Sequence, residues 1–517
     1  MCPEDLSAEE LSFLQAIASS LDMEYVDLDD VEFENAALKL VNEKLARLHK
    51  IIPVSANENG VVIAISDPSD LSVLDDVKII TGRRVIPVLA TPTAVQEKID
   101  LYYRSTEDTE QAIEDFQASD DTSEEEEGVS ADVDSAPIVR IVNSILTEAV
   151  KAKASDIHIE PFEAFIRVRV RIDGDLKEIM QLPRNTLSGI VTRIKIMSDL
   201  NIAETKRPQD GRVRLRSGDQ VVDMRISLLP TVFGEKCVIR LLNNNTGILD
   251  RSQLGLSPYN AEKIDQLMHI SEGIVLVTGP TGSGKTTTLY SLLKDLNVIN
   301  KNIITLEDPV EVQMFGINQV QVNAKIGMTF ASGLRSILRQ DPDIIMLGEI
   351  RDEETAEIAI RSAVTGHIVL STLHTNDTAS SVTRLIDMGI QKYMVTSAVA
   401  GIVAQRLVKK ICPRCAKPVP ASEYECMALG VESATLMRGE GCPFCNGTGF
   451  KGRYAIHEVL VLTPEIKSMI NHGCTADELK QKACENGMQT LADSARALVL
   501  QGITSVSEME RATFVLQ

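Results

Sequence analysis

Apolar and polar positions follow three successive rhythms along this chain. In the first hundred residues a helical period runs over 6–21, short apolar runs at 61–65 and 85–89 are closed by Pro68 and Pro92, and the helical period returns over 94–103. These elements predict a small α/β domain over residues 1–104. The second rhythm is strict alternation. In Phe165-Ile166-Arg167-Val168-Arg169-Val170-Arg171-Ile172 the apolar residues face one way and three arginines the other. The pattern recurs at 212–216 and, after a turn at 217–219, over 221–228, where Arg225 lies on the polar face. Helices are expected over 138–152 and 187–200. Eleven arginines lie between Arg167 and Arg240, so residues 136–245 read as a domain whose sheet has one basic face. From Leu254 to about 410, apolar strands end in polar residues and alternate with helical segments, the pattern of a largely parallel α/β sheet. A cysteine-rich stretch (411–453) and a helical tail (454–517) follow, the tail with helix starts at Thr475-x-x-Glu478 and Ser505-x-x-Glu508.

Composition adjusts this picture. At 517 residues the chain exceeds a single core. Its 44% apolar and 24% charged content is that of a soluble globular protein, without an apolar run near the ~18 residues of a membrane span. The start, Met1-Cys2-Pro3-Glu4-Asp5-Leu6, lacks the basic-then-apolar order of a secretory signal, so a cytoplasmic location is expected. The net charge is −22, and residues 105–135 hold thirteen acids with no Lys or Arg. Such a stretch cannot bury enough apolar surface to offset its ordering entropy, which predicts an acidic, disordered linker. An acidic chain with 4% aromatics and no Trp is poorly equipped to hold phosphate backbones or stack bases, so nucleic acid is not an expected partner.

The sharpest chemistry begins at Ile274-Val275-Leu276-Val277, an apolar strand that runs into Gly279-Pro280-Thr281-Gly282-Ser283-Gly284-Lys285-Thr286-Thr287. Strand, glycine-rich turn and helix in this order form a phosphate cradle. Glycines let backbone N–H groups close around phosphate oxygens, Lys285 reaches the β/γ-phosphates, and Thr286 offers a hydroxyl to Mg²⁺. Three later apolar strands end in Glu307-Asp308-Pro309, Gly348-Glu349 and His374. In a parallel sheet these ends share one edge with the cradle. Glu349, at the end of the most apolar of the three, is the first choice for the acid that orients the attacking water, and Glu307 the second; either residue could instead cap the next helix. His374 reads as a γ-phosphate contact or a turn residue. Arg240 stands in the nearly apolar Cys237-Val238-Ile239-Arg240-Leu241-Leu242, where a charge needs a partner. Arg335 and Arg339 share a helix face.

Cys412-Pro413-Arg414-Cys415 and Cys442-Pro443-Phe444-Cys445 are two C-x-x-C knuckles. Four thiolates in two tight turns suit a structural, tetrahedral Zn²⁺; redox use of the two pairs is the alternative.

Taken together these motifs resemble the secretion and type IV pilus ATPase superfamily. The likeness rests on the cradle and on Leu306-Glu307-Asp308-Pro309-Val310-Glu311, similar to the family's aspartate box. It rests also on Gly348-Glu349-Ile350-Arg351-Asp352, on Thr365-Gly366-His367 with Leu373-His374-Thr375-Asn376, similar to its histidine box, and on Arg207-Pro208-Gln209-Asp210-Gly211-Arg212. The resemblance implies a multidomain α/β chain: a small N-terminal α/β domain, a PAS-like α+β middle domain, and a RecA-like P-loop ATPase domain with a zinc insertion and C-terminal helices. It implies a Mg²⁺-dependent hexamer on the cytoplasmic face of the inner membrane, working on a platform protein. It implies that His374 contacts the γ-phosphate and that Arg225 and Arg240 reach the phosphates of a bound nucleotide. Residues 1–104 resemble a domain that docks on the cytoplasmic part of a membrane-anchored component; the Arg-Leu-Gly that opens the cyclic-dinucleotide motif of pilus-extension relatives is absent, so that ligand is not expected. The four cysteines resemble the secretion and extension branch rather than retraction motors. The expected function is ATP hydrolysis driving type II secretion through pseudopilus assembly, with type IV pilus extension as the alternative. A nucleic-acid translocase and a non-catalytic ring scaffold are the rival readings.

Overall fold

The computed structural model describes residues 23–102 except 27, 29, 30, 32, 34, 39, 42, 58, 59 and 68–71, and residues 137–513 except 218, 219, 244–247 and 446. The helix expected over 6–21 and the acidic linker at 105–135 lie outside the described residues, as do residues 218 and 219 of the expected turn. The chain is a multidomain α/β protein with two compact units, one of residues 1–172, 176–217 and 223–241, the other of residues 173–175, 218–222 and 242–517.

In the first unit, strands β1 (Glu24–Tyr25), β2 (Ile51–Asn57), β3 (Gly60–Ile65) and β4 (Val85–Leu89) form a sheet in the order β1-β4-β3-β2. Helices Ser72–Thr81 and Pro92–Tyr102 contribute Val77, Val95 and Ile99 to the core that covers Ile51, Ile63 and Ile65. The sequence pattern passes over β2 because Pro53 lies inside it. The structure accommodates that proline where the pairing with β3 shifts register, between Pro53 and Ser55.

A second sheet of this unit comprises β5 (Asp156–Pro161), β6 (Phe165–Ile172), β7 (Asp175–Pro183), β8 (Gln209–Ser217), β9 (Gln220–Thr231) and β10 (Gly234–Asn243), in the order β7-β6-β5-β10-β9-β8. Ile166, Val168 and Val170 are buried, as the alternation requires. Helix Pro137–Lys151 crosses helix Leu187–Met197 at Gly189, where a Cβ would meet Ile138 at 2.9 Å. The second helix ends three residues earlier than its apolar period suggests, because Asp199 takes a left-handed conformation with φ +54°.

The arginine face is not purely basic. Central strand β5 sets Asp156 opposite Arg171 on one side and Arg240 on the other, and Glu160 opposite Arg167. Glu160 accepts charge-assisted bonds from Arg167 (3.2 Å), Arg169 (2.9 Å) and Lys236 (3.0 Å). Burial raises its pKa, but Arg169 and Lys236 outweigh burial and hold the carboxyl at about 2. Around β5 the face is thus a lattice of five cations around two acids, invisible in a count of arginines.

The second unit carries a seven-stranded sheet of β11 (Gly273–Thr278), β12 (Ile303–Glu307), β13 (Asn318–Gln321), β14 (Ile344–Leu347), β15 (Ile368–Leu373), β16 (Val399–Ile411) and, beyond a two-stranded sheet of β17 (Ala416–Pro420) and β18 (Thr435–Gly439), β19 (Phe450–Val461). Its order is β13-β12-β14-β15-β11-β16-β19. Every pair is parallel except β16 with β19. The cysteine-rich stretch therefore hangs between two long antiparallel strands, and β19 runs through the boundary expected at 453/454. The tail's helix starts form as capping geometry requires: Thr475 and Glu478 cap each other, and the Glu508 N–H donates to Ser505 Oγ.

Candidate nucleotide and metal sites

Because β11, β12, β14 and β15 run parallel, their carboxyl ends lie along one edge of the sheet. After Thr278 the chain turns through Gly279 (φ +149°), Gly282 (φ +80°) and Gly284 (φ +89°) into helix Lys285–Leu296. Pro280, Thr281, Gly282, Thr286 and Thr287 form the exposed rim, while Gly279, Ser283 and Lys285 are buried. The Lys285 ammonium donates to the carbonyls of Gly279 (2.8 Å) and Pro280 (3.2 Å), which aims it across the loop. Burial lowers its pKa; the negative charge of Glu349 opposes that shift.

Hydroxyls lace the strand ends together. Ser371 donates to Leu347 O (3.1 Å) and Thr372 to Gly348 O (2.7 Å), locking β15 to the end of β14. The Thr375 N–H donates to Thr278 Oγ1 (2.9 Å), fixing the turn after His374 against β11. Glu349 and His374 are thereby brought together: His374 Nε2 lies 3.3 Å from Glu349 Oε2. Arg351 takes the other oxygen at 2.5 Å. Burial pushes the Glu349 carboxyl up, but Arg351 and His374 outweigh it and hold the pKa below the usual value, so the group is a carboxylate at neutral pH.

Glu307 has a different setting. It is 3% exposed, and its oxygens accept from Tyr290 (2.5 Å), Thr305 (2.6 Å) and Gln319 (3.2 Å). Burial raises its pKa despite those bonds. Both oxygens are spent inside the fold, tying β12 to the cradle's helix through Tyr290 and to β13 through Gln319. Arg335 pairs with Glu354 (2.6 Å), and Arg339 folds back to donate to Arg335 O (2.8 Å).

Arg225 and Arg240 belong to the other unit. Arg225 is half-buried on β9. Arg240 donates from Nε to Asp156 Oδ1 at 3.0 Å and remains 57% exposed, so the charge in the apolar strand has its partner.

Sequence reasoning missed two residues at the cradle. Arg351 was legible only as a letter of its motif. Gln405, 3% exposed on β16, donates from Nε2 to Ser283 O (2.9 Å) and accepts at Oε1 from Thr288 (2.6 Å). Its sequence distance from the loop left no signal; only the β11–β16 pairing reveals it.

The four sulfurs of Cys412, Cys415, Cys442 and Cys445 all lie within 4.8 Å of one another. Cys412–Cys442 and Cys415–Cys445 are 3.8 Å apart and Cys442–Cys445 3.7 Å. A tetrahedron with Zn–S bonds of ~2.3 Å has edges of about 3.8 Å, so the donor set fits that ion. The N–H groups of Cys442 and Gly449 donate to Cys445 Sγ, each at 3.2 Å. They bring its pKa down to about 6 although burial alone would raise it. Backbone donors aimed at sulfur are the second layer expected around a thiolate site.

The chain is similar to known proteins along most of its length. Residues 131–511 match the family described as type II/IV secretion system protein, and residues 21–109 match the MshEN domain. The chain is 42% identical over 513 residues to the type IV pilus assembly ATPase PilB of Myxococcus xanthus, covering 97% of this chain and 91% of that protein. It is 48% identical over 402 residues to type II secretion system protein E of Pseudomonas aeruginosa, covering 77% and 80%. Among solved structures, the pilus retraction motor PilT with bound ADP is 27% identical and superposes with a TM-score of 0.50, covering 73% of this chain and 97% of that one. The Legionella pneumophila ATPase DotB, 22% identical with a TM-score of 0.54, covers 71% and 94% and shares the fold.

Proposed function

Because this chain belongs to the type II/IV secretion system protein family, as an ATPase motor for secretion or pilus assembly, we propose that it drives type II protein secretion by powering pseudopilus assembly. The observation that carries the mechanism is the convergence of the Lys285 cradle with Glu349 and His374 at one sheet edge. Backbone N–H groups of residues 281–287 hold the β- and γ-phosphates, and Lys285 swings its ammonium to them. Thr286 would hold the Mg²⁺, which supplies charge neutralisation between the phosphates. Glu349, kept ionised by Arg351 and His374, orients the attacking water and accepts its proton late, as suits a reaction governed by positioning rather than by strong bases. His374, held beside Glu349 at the same sheet edge, contacts the γ-phosphate and donates to it in this reading. Glu307 fixes the edge from within. Arg225 and Arg240 complete the pocket of a neighbouring subunit in a ring of six. Four cysteines hold a structural Zn²⁺.

In this reading the ring lies on the cytoplasmic face of the inner membrane. No helix among the described residues is long and apolar enough to cross a membrane. It works on a platform protein there, and residues 1–104 dock on a membrane-anchored component. Type IV pilus extension is the second reading, favoured by the match to PilB along nearly the full chain. Deleting the gene separates the two: loss of exported enzymes with pili intact supports type II secretion, and loss of surface pili with export intact supports the alternative. A purified chain that releases no phosphate from ATP with Mg²⁺ overturns both.

A further inference from the structure

A peptide group is a rigid plane in which C=O and N–H point opposite ways. Whatever holds the carbonyl of Ser283 therefore also aims the N–H of Gly284, and that N–H lies at the entrance of the cradle's helix, where an anion is bound best. In this molecule the Ser283 carbonyl is held by the Gln405 side chain at 2.9 Å.

We propose that Gln405 is a positioning residue for the nucleotide: its carboxamide pins the Ser283–Gly284 peptide so that the N–H faces the phosphates and the carbonyl faces the sheet. Both ends of the side chain are spent on this task. Nε2 holds the loop, and Oε1 accepts from Thr288, one turn into the helix that follows. The residue thus braces loop and helix against strand β16, which pairs with β11 in parallel, Thr278 opposite Ala404.

The glycines carry the mark of the same contact. A Cβ on Gly284 would stand 2.8 Å from Gln405 Nε2, and one on Gly279 would stand 2.4 Å from the Gln405 carbonyl oxygen. Both are closer than side-chain carbons approach, so two glycines of the loop are glycine partly because this strand lies against them. Without the brace the peptide is free to turn its carbonyl toward the phosphates, where oxygen meets oxygen. Such a loss falls on the bound state of substrate and product alike. It weakens binding without a matching change in the chemical step.

The inference rests on the loop being the nucleotide site, and ADP binding by the wild-type chain tests that premise separately. The experiment measures ATP turnover and ADP affinity for the full chain and for Q405L, Q405E and T288V. Q405L keeps the bulk and loses both bonds; its KM for ATP and Kd for ADP rise roughly 10- to 100-fold, as for one or two buried hydrogen bonds, with kcat changed less than about threefold. Q405E, assayed at a pH high enough to ionise its buried carboxyl, keeps the acceptor for Thr288 but cannot donate to Ser283; it loses affinity at least as much. T288V loses less, and its effect disappears when combined with Q405L. An unchanged KM and Kd in Q405L overturns the proposal. So does a fall in kcat at unchanged KM, which is the signature of fewer folded molecules. If Q405L does not fold, Q405E and T288V decide: wild-type affinity in both overturns it equally.

Discussion

His374 Nε2 lies 3.3 Å from Glu349 Oε2, and the two residues meet where Ser371 and Thr372 donate to Leu347 O and Gly348 O and so help clamp two parallel strand ends together. The carboxylate is shared, with Arg351 on its other oxygen. This arrangement explains how an acid partly removed from water stays ionised, and it sets the first expectation.

Glu349→Gln keeps the side chain's shape and removes its charge. ATP affinity should stay within a few-fold of wild type, while turnover falls by about 10² or more, the range for losing a group that orients and deprotonates the nucleophile. Nucleotide titration beside a phosphate-release assay checks this. Wild-type turnover in the variant would remove Glu349 from the reaction.

The sulfur tetrahedron predicts about one Zn²⁺ per chain, measured by atomic absorption on protein purified without added metal. Cys412→Ser should bring that ratio close to zero. Because binding to such modules supplies ~10–16 kcal/mol, the stretch 411–453 should then become newly open to proteolytic cutting that the wild type resists, while residues of β11 to β15 remain protected. Full metal content in the variant would exclude Cys412 as a ligand.

How far the sequence carries this site depends on how local each relationship is. The cradle was legible because its strand, glycines, lysine and helix are contiguous, and the strand ends were legible because a parallel sheet gathers them. The contrast between Glu349 and Glu307 was not. Both end apolar strands, but one faces Arg351 and His374 and the other turns inward to Tyr290, Thr305 and Gln319. An acid after an apolar run looks the same in either case. Gln405 was hidden for a related reason: its role follows from strand order, and nothing within its own segment differs from a buried polar residue. Likewise the acids of β5 were masked by the arginines whose register they share.

Glu160 offers a pH test. Its folded pKa of about 2 lies below the ordinary carboxyl value of 4.5, so its contribution to stability is fully present above the unfolded value and is lost as pH falls through the folded one. Glu160→Gln should destabilise the unit by about 3 kcal/mol at pH 7, since three cations lose their partner. The gap between variant and wild type should shrink as pH drops from about 4.5 toward 2. Urea unfolding at several pH values measures it; a gap independent of pH would mean that the lattice is held by packing rather than charge.

Arg240 is the last case, because its position allows two roles. Asp156 engages its Nε, yet more than half of the side chain is exposed, so pairing within the sheet does not exhaust it. If Arg240 reaches a neighbour's phosphates, Arg240→Ala should lower kcat by a factor of about 10³ or more, the range known for arginine fingers. Lys285→Ala should be inactive for a separate reason, the loss of its own cradle. Mixed rings then distinguish the two roles. A site built from the intact Lys285 of one subunit and the intact Arg240 of the next is complete, so co-expression of the two inactive variants should restore turnover. Rings of full size that recover nothing would show that Arg240 serves only its own sheet, and its value would then lie in holding Asp156.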